Sequence, residues 1–529
     1  MLDLVIVGGG VTGAGIARDA ALRGLRVALF EREDFASGTS SRSSRMVHGG
    51  VRYLEHGHLH LVLESSRERR ILLKIAPHLV RPLAFTWPLY AGARIAGWKL
   101  TAGLTLYDAL ALFRNVSRHR RLAPDEVLRT EPALRTESLR GGARYFDAAA
   151  DDARLVLANV IAAVEQGAVA LNHAVVEKVS RVSDASGEWA LEVRDAAGNA
   201  AHQVRSRAVV FAIGPWSDDV PSIAGLAKPT ARVVRSLGAH IAVPRARIGN
   251  SGALTLIAPS DGRVFFVVPA RELTIATTTE SPSHCAPAEV RAGRGDVAYL
   301  LNAVNHYFPA ARLTNDDVIA AWAGLRPLAA PNVHGALTSA SREHSIVESE
   351  PGMFVVTGGK LTTYRAMAEE VVDQLARRLL LRETHSVTQR VPLPGGELPD
   401  VPAAITAAHS VASDDAIAQR LVGAYGSRWP LVLGRNEDLQ RIDVHAPYLL
   451  AEATYAVERE LAVTLADVLI RRVPLAFERR DHAVAAAARV ATHFATRFGW
   501  NGLDVRAAVD LYEQSVQRQF EIDDRMRDA

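Results

Sequence analysis

Apolar and polar positions in this chain switch between two periods, and the switches mark its elements. Leu4-Val5-Ile6-Val7 is a short continuous apolar run, read as a buried strand. The turn Gly8-Gly9-Gly10-Val11-Thr12-Gly13 follows, then a small-residue helix from Ala14 to Leu22, then Val27-Ala28-Leu29-Phe30, a second strand ending at the acid Glu31. Strand, glycine turn, helix and acid-terminated strand together predict the βαβ unit of a dinucleotide-binding fold. In this reading Gly8 permits the tight turn and Gly10 lets backbone N–H groups approach a pyrophosphate. Gly13 lets helix and strand pack closely, and Glu31 accepts hydrogen bonds from an adenosine ribose.

Further along, Val204 to Phe211 and Met353 to Val356 read as strands. His240 to Val243, Arg263 to Val268 and Leu273 to Thr277 alternate in strand fashion and predict an antiparallel sheet. Val484 to Phe498 and Val505 to Ser515 are rich in alanine and leucine and read as helices. At 529 residues the chain is too long for one core, so two or three domains are expected. The net charge of +3 carries no nucleic-acid footprint. The single Cys285 excludes an intramolecular disulfide, and no metal-ligand cluster is expected. No signal peptide precedes the first strand, so a cytoplasmic location is expected.

No apolar run is long enough for a transmembrane helix. The stretch from Trp87 through Trp98 to Phe113 is nevertheless rich in Leu, Trp and Tyr, and Arg114, Arg118, Arg120 and Arg121 follow it. Two readings fit: a core helix with a solvated arginine turn, or an apolar surface beside a basic cluster lying on an anionic membrane.

The glycine motif alone does not separate NAD from FAD. After it comes the hydroxyl-rich loop Asp34-Phe35-Ala36-Ser37-Gly38-Thr39-Ser40-Ser41-Arg42-Ser43-Ser44, suited to a second set of contacts to a pyrophosphate and a ring system, then His48-Gly49-Gly50-Val51-Arg52-Tyr53-Leu54-Glu55. These runs, in this order, resemble the FAD-dependent glycerol-3-phosphate dehydrogenases. The resemblance continues through Asp151 to Leu155, Ala212-Ile213-Gly214-Pro215-Trp216, His240 to Arg245, Gly324-Leu325-Arg326-Pro327-Leu328, Gly358 to Arg365, Tyr455 to Glu458 and Leu469-Ile470-Arg471-Arg472. It therefore covers nearly the whole chain. It implies FAD as cofactor, oxidation of sn-glycerol 3-phosphate to dihydroxyacetone phosphate, a quinone acceptor and peripheral attachment to the inner face of the cell membrane. A homodimer is a further expectation.

The fold class expected is an α/β FAD-binding Rossmann-like domain, an antiparallel β-sheet substrate (cap) domain and a C-terminal helical domain. Residues 1–81, 145–227 and 334–382 are assigned to the first, 82–144 and 228–333 to the second, 383–402 to a linker and 403–529 to the third. Beyond the glycine turn and Glu31, the cofactor residues implied are Thr39, Ser40, Ser41, His48, Gly49, Gly214, Gly359, Lys360, Leu361 and Thr362.

Oxidising a secondary alcohol requires hydride transfer to the flavin and a base for the hydroxyl proton, and a phosphate requires cationic clamps. The residues matching the family's site are Arg52 for the phosphate, Tyr53 beside it, Arg326 for the hydroxyl or phosphate, Arg342, and His240 as the base, an imidazole near its ordinary pKa. A satisfied structural histidine is the competing reading of His240. Lys360 is one of only five lysines, and a compact ammonium there suits the edge of a reduced flavin ring. His48 fits a hydrogen-bonding or packing role better than a covalent flavin link.

The chain departs from the family pattern twice. Leu237-Gly238-Ala239-His240 stands where a Lys-Gly-Ser-His run is usual, and Thr277-Thr278-Thr279 where Thr-Thr-Asp is usual. Both fall in the expected substrate sheet, so an altered substrate pocket is expected. Two alternatives follow: an FAD-dependent oxidase or dehydrogenase of another 2-hydroxy or amino acid, and a flavin-binding protein whose catalytic sheet has drifted.

Overall fold

The structure, a computed structural model, describes residues 1–51, 54, 57–183, 187–195, 200–226, 233–329, 343–380, 385–433 and 439–524. Leu2–Val7 lies inside an eight-stranded sheet. Val27–Phe30 and Ala201–Phe211 flank it in parallel, and Val169–Leu171 and Met353–Gly358 extend the parallel set outward. His344–Glu350 and the hairpin Ala174–Arg181/Trp189–Asp195 add antiparallel pairings. The apolar run of the first strand is continuous because both of its faces are covered. Leu4 and Ile6 pack against the helices Val11–Leu22, Asp152–Glu165 and Tyr364–Arg378, while Val5 and Val7 pack against the hairpin.

The glycine turn meets its expected constraints. Gly8 has φ +109°, a conformation open to glycine, and a Cβ placed on Gly13 would lie 1.9 Å from the Gly8 carbonyl oxygen. A side chain at residue 13 would therefore push the first helix off the strand.

The second sheet has ten strands. Val233–Pro244 pairs antiparallel with Ala320–Ala329, from Val233 opposite Ala329 to Ala242 opposite Ala320, and with Leu273–Thr277 on its other side. Val264–Ala270 and Ala253–Ile257 continue the antiparallel order, and a parallel step leads to Val80–Tyr90. Leu139–Ala150 and Met46–Val47 complete the path. The boundaries expected at 81/82 and 144/145 thus fall inside Val80–Tyr90 and Leu139–Ala150, both wholly in this sheet. Period-two alternation announces a strand without saying which sheet receives it, which is why the sequence misplaces these edges.

The stretch from Trp87 to Phe113 divides between its two readings. Trp87, Leu100, Leu104 and Tyr107 are core residues, whereas Trp98 is 70% exposed and Leu106, Leu112 and Phe113 face solvent. No helix among the described residues is long and apolar enough to cross a membrane.

Helices from Val401–Ala412 to Gly502–Phe520 form the C-terminal part. Their core is continuous with the back of the second sheet, where Ile275 and Trp322 meet Leu469, Leu475 and Phe477. Charged contacts also cross to the first sheet's side. Arg154 and Glu460 form a two-bond ion pair at 2.6 and 2.8 Å, and Asp34 takes both Arg471 and Arg472.

His78 is 2% exposed beside the turn at Gly395 and Gly426. Burial, with Arg154 and Arg81 nearby, pushes its imidazole down to about 3. An unfolded chain binds a proton there near pH 6.5 and the folded chain does not, so stability is full above that pH and falls as the pH drops, by about 1.4 kcal/mol per unit. Melting temperatures measured from pH 8 to pH 4 are expected to fall less steeply in His78→Asn than in the parent. Equal slopes would show that His78 does not set the acid limb.

Candidate active site

A cavity of about 710 Å³ opens at the carboxyl ends of the parallel strands and reaches the face of the second sheet. Val7, Gly8, Gly10, Val11, Glu31, Thr39 and Ser40 line it on one side, and Gly238, His240, Phe266, Thr278 and Arg326 on the other. Crevices at this end of a parallel sheet are where dinucleotides bind, because helix N-termini and unpaired N–H groups converge there. The first helix starts at Val11 on this wall with Gly10 before it, and the Ser40 hydroxyl accepts the Val11 N–H at 3.0 Å. Glu31 accepts from Gly9 N at 2.6 Å and Glu33 N at 2.9 Å. Burial pushes its carboxyl up, and those two backbone donors oppose the rise.

Among the residues expected around the cofactor, Gly8, Gly10, Glu31, Thr39, Ser40, His48, Gly214, Gly359, Lys360, Leu361 and Thr362 share the wall. Three do not. Gly13 lies behind the turn, Ser41 is buried in the short helix Thr39–Ser41, and Gly49 packs on Tyr107. A Cβ on Gly49 would sit 2.2 Å from the Tyr107 hydroxyl, and its N–H donates to Asp147 at 3.0 Å. The fit to FAD rests on the glycine turn, the acid at the end of the second strand and the size of the cavity.

Arg52, Tyr53 and Arg342 lie outside the described residues. Arg326 and His240 come together. The Arg326 guanidinium lies along the sheet, donating to the Thr278 hydroxyl at 2.9 Å and to the Ser236 hydroxyl at 3.4 Å. A Cβ on Gly238 would fall 2.4 Å from its Nη2, so Gly238 makes room for the arginine. His240 stacks on Trp322 with ring centroids 5.3 Å apart and planes 3° from parallel. Its Nε2 is 3.2 Å from the Ser44 hydroxyl.

The expectation of an imidazole near its ordinary pKa is corrected. Burial first, then the positive charges of Arg326 and Arg45, push His240 down to about 3. In this charge environment the ring is neutral at physiological pH.

The two departures from the family pattern do not reach the cavity. Along Val233–Pro244, Gly238 and His240 line the site, with Ser236 on the same face bonded by Arg326, while Leu237, Ala239 and Ile241 face the core under the helix Arg294–Tyr307. Leu237 is 6% exposed. Thr279 is buried with its hydroxyl accepting the Ala239 N–H at 2.9 Å, a task a carboxylate could equally perform. The expected change of pocket is therefore absent at these positions.

Sequence reasoning named the hydroxyl-rich loop but missed Ser44, Thr278 and Gly238 as parts of the site. The only signal for Gly238 was a glycine inside a strand, which marks a close approach.

Two substitutions test this wall. Gly238→Ala is expected to displace Arg326 and lower turnover at least tenfold while the flavin content stays that of the parent. Leu237→Lys, which buries an ammonium among apolar side chains, is expected to lower the melting temperature rather than raise activity. Thermal melts, flavin absorbance and initial rates decide both.

Comparisons with known proteins agree with this geometry. Residues 3–374 match the model of the FAD dependent oxidoreductase family, and residues 386–504 match that of the C-terminal domain of alpha-glycerophosphate oxidase. The chain is 34% identical to a glycerol-3-phosphate dehydrogenase of Synechocystis, over 98% of this chain and 96% of that one. It is 36% identical to glycerol-3-phosphate dehydrogenase 2 of Mycobacterium tuberculosis, over 98% and 88%. The solved glycerol-3-phosphate dehydrogenase of Bacillus halodurans complexed with FAD superposes with a TM-score of 0.80 at 31% identity, covering 100% of this chain and 97% of that one. This chain belongs to the FAD-dependent glycerol-3-phosphate dehydrogenase family.

Proposed function

We propose that the protein oxidises sn-glycerol 3-phosphate to dihydroxyacetone phosphate and passes the electrons to a quinone at an anionic membrane surface. The observation that carries the reading is one cavity joining the dinucleotide turn at Gly8 and Gly10 to His240 and Arg326 on the facing sheet. FAD, held by the glycine turn, Glu31 and the Thr39–Ser40 loop, supplies the hydride acceptor. Arg326 provides a fixed guanidinium for the phosphate or hydroxyl, with Arg52, Tyr53 and Arg342 as its expected companions. His240 receives the hydroxyl proton. A phosphate dianion near Arg326 offsets the positive charge that depresses His240, so substrate raises the basicity of the ring. Lys360 adds a positive charge to the cavity wall, the sign that favours a ring gaining electrons.

The membrane part of the reading rests on the helix Gly97–Leu110 and the segment after it. Trp98, Leu106, Leu112, Phe113 and Val116 are exposed there beside Arg114, Arg118, Arg120 and Arg121. Exposed apolar side chains followed by exposed arginines, with Arg118 over the Phe113 ring, suit the headgroup boundary of an anionic bilayer, where a quinone is within reach.

Anaerobic addition of glycerol 3-phosphate to the flavoprotein is expected to bleach the flavin. Bleaching only by another hydroxy or amino acid would replace the substrate, and no reduction by any of them would favour a flavin-binding protein without this activity. In a second experiment the protein is expected to sediment with phosphatidylglycerol vesicles at low salt, to leave them as salt is raised, and to lose binding in Trp98→Ala/Phe113→Ala. Equal solubility with and without vesicles would remove the membrane from the reading.

A further inference from the structure

We infer that Ser44 stands between the substrate hydroxyl and His240 as a proton relay, so that the histidine acts through it. Resting on the proposed function, this inference names the group at which the proton first leaves the substrate.

The geometry has three parts. The Ser44 Oγ lies 3.2 Å from His240 Nε2 and 2.8 Å from the Thr277 Oγ1, and Ser44 lines the cavity while Thr277 is fully buried behind it. The one ring nitrogen of His240 aimed at this wall is thus already engaged by a hydroxyl. The imidazole cannot turn away, because it is stacked flat on Trp322, itself wedged edge-on by Phe477 at 5.1 Å.

The backbone carrying Ser44 is equally constrained. The neighbouring Ser43 donates through its hydroxyl to Asp152 at 2.6 Å and through its N–H to the same oxygen at 3.2 Å. Asp152 opens the helix Asp152–Glu165, and Ser43 also accepts the Arg45 N–H at 3.0 Å. On the other side Ala150 N donates to the Arg45 carbonyl at 2.8 Å, and Met46 enters the second sheet opposite Ala149. Ser44 is held between a helix start and a sheet edge, which preorganises its hydroxyl rather than leaving it on a loose loop.

These contacts define the step. In the relay the Thr277 hydroxyl donates to the Ser44 oxygen and the Ser44 O–H donates to His240 Nε2, the proton arrangement among those the heavy-atom contacts permit that leaves the Ser44 oxygen free to accept the substrate proton. As hydride leaves the carbinol carbon for the flavin, the substrate O–H bond breaks and its electron pair becomes the carbonyl bond. The proton passes to Ser44 Oγ while the Ser44 proton passes to His240 Nε2. The balance is one ketone, one reduced flavin and one imidazolium. The charged groups facing the ring are Arg326 and Arg45, and Arg42, His48, Glu280 and Lys360 share the cavity wall. A bound phosphate compensates the positive members of this set.

The test uses the holoprotein. Ser44→Ala is expected to slow flavin reduction by glycerol 3-phosphate about a hundredfold, the scale of a lost proton-transfer group, with little change in KM. Ser44→Thr, which keeps the hydroxyl, is expected to recover most of the rate. His240→Asn is expected to cost as much as Ser44→Ala, and the double variant no more than either, because the two act as one unit. A readout independent of turnover is the ¹⁵N resonance of His240, identified among the 18 histidines by its loss in His240→Asn. In the parent it should show a single neutral tautomer with Nε2 accepting, and Ser44→Ala should mix the tautomers. Parental rates in Ser44→Ala, additive losses, or an unchanged resonance would each overturn the relay. If the parent flavin is not bleached by glycerol 3-phosphate, the substrate reading fails instead, and the tautomer measurement still decides the Ser44–His240 contact.

Discussion

The buried carboxylate of Asp34 is the interaction on which the rest of the arrangement depends. It lies three residues after Glu31, is 1% exposed, and is bonded by Arg471 and Arg472 from the C-terminal helices, with the Asn172 amide at 2.9 Å. Arg471 and Arg472 sit 437 and 438 residues away in the chain. A buried charge must be paired, and leaving one partner alone in such a site costs about 3–5 kcal/mol, more than most single contacts supply. Asp467 extends the network, bonded by Arg471 at 2.7 Å and His173 at 2.9 Å, and its carboxyl is held well below the usual range by these donors despite burial. The acidic loop after the second strand, the end of the edge strand Val169–Leu171 and the C-terminal helices therefore fold against one shared charge cluster.

The C-terminal part also forms the back wall of the second sheet. Trp322 has His240 stacked on one side and Phe477 edge-on, while the Arg45 guanidinium lies 4.6 Å over Phe477. A side chain 1% exposed in this layer cannot shift without moving both neighbours, since cores are close-packed and transmit displacement. The position of His240 is thus set from behind by residues that never touch the cavity.

Much of this was legible in the sequence, and the boundary of legibility has a physical origin. The βαβ unit at Leu2–Phe30 could be read because glycine placement, apolar run and terminal acid are local features with one solution. The helix Val484–Phe498 was readable to the residue from its composition. Asp34-Phe35-Ala36 and Leu469-Ile470-Arg471-Arg472 were readable as motifs, but not as two halves of one ion pair, because pairing across the fold is not a property of either segment. The concern over Leu237 shows the same limit at shorter range. A one-residue step along a strand reverses the face, so a position three residues from His240 lies in the core while Gly238, two away, lies at the site. Ser44 was hidden among six serines and threonines of one loop, and only the facing sheet distinguishes it.

That facing sheet imposes a further consequence for catalysis. Burial first, and then the positive charges of Arg326 and Arg45, hold His240 far below its ordinary basicity, so the site as built is a poor proton acceptor. Under the proposed function the substrate's own phosphate offsets the part of this depression that the guanidinium beside the imidazole contributes. Binding energy from a group remote from the reacting carbon would then be used to adjust the base, which is how a non-reacting part of a substrate contributes to rate rather than to affinity alone. Under the proposed function such a site would discriminate twice against unphosphorylated alcohols, which would lose the ionic contact and leave the positive charge beside the imidazole uncompensated.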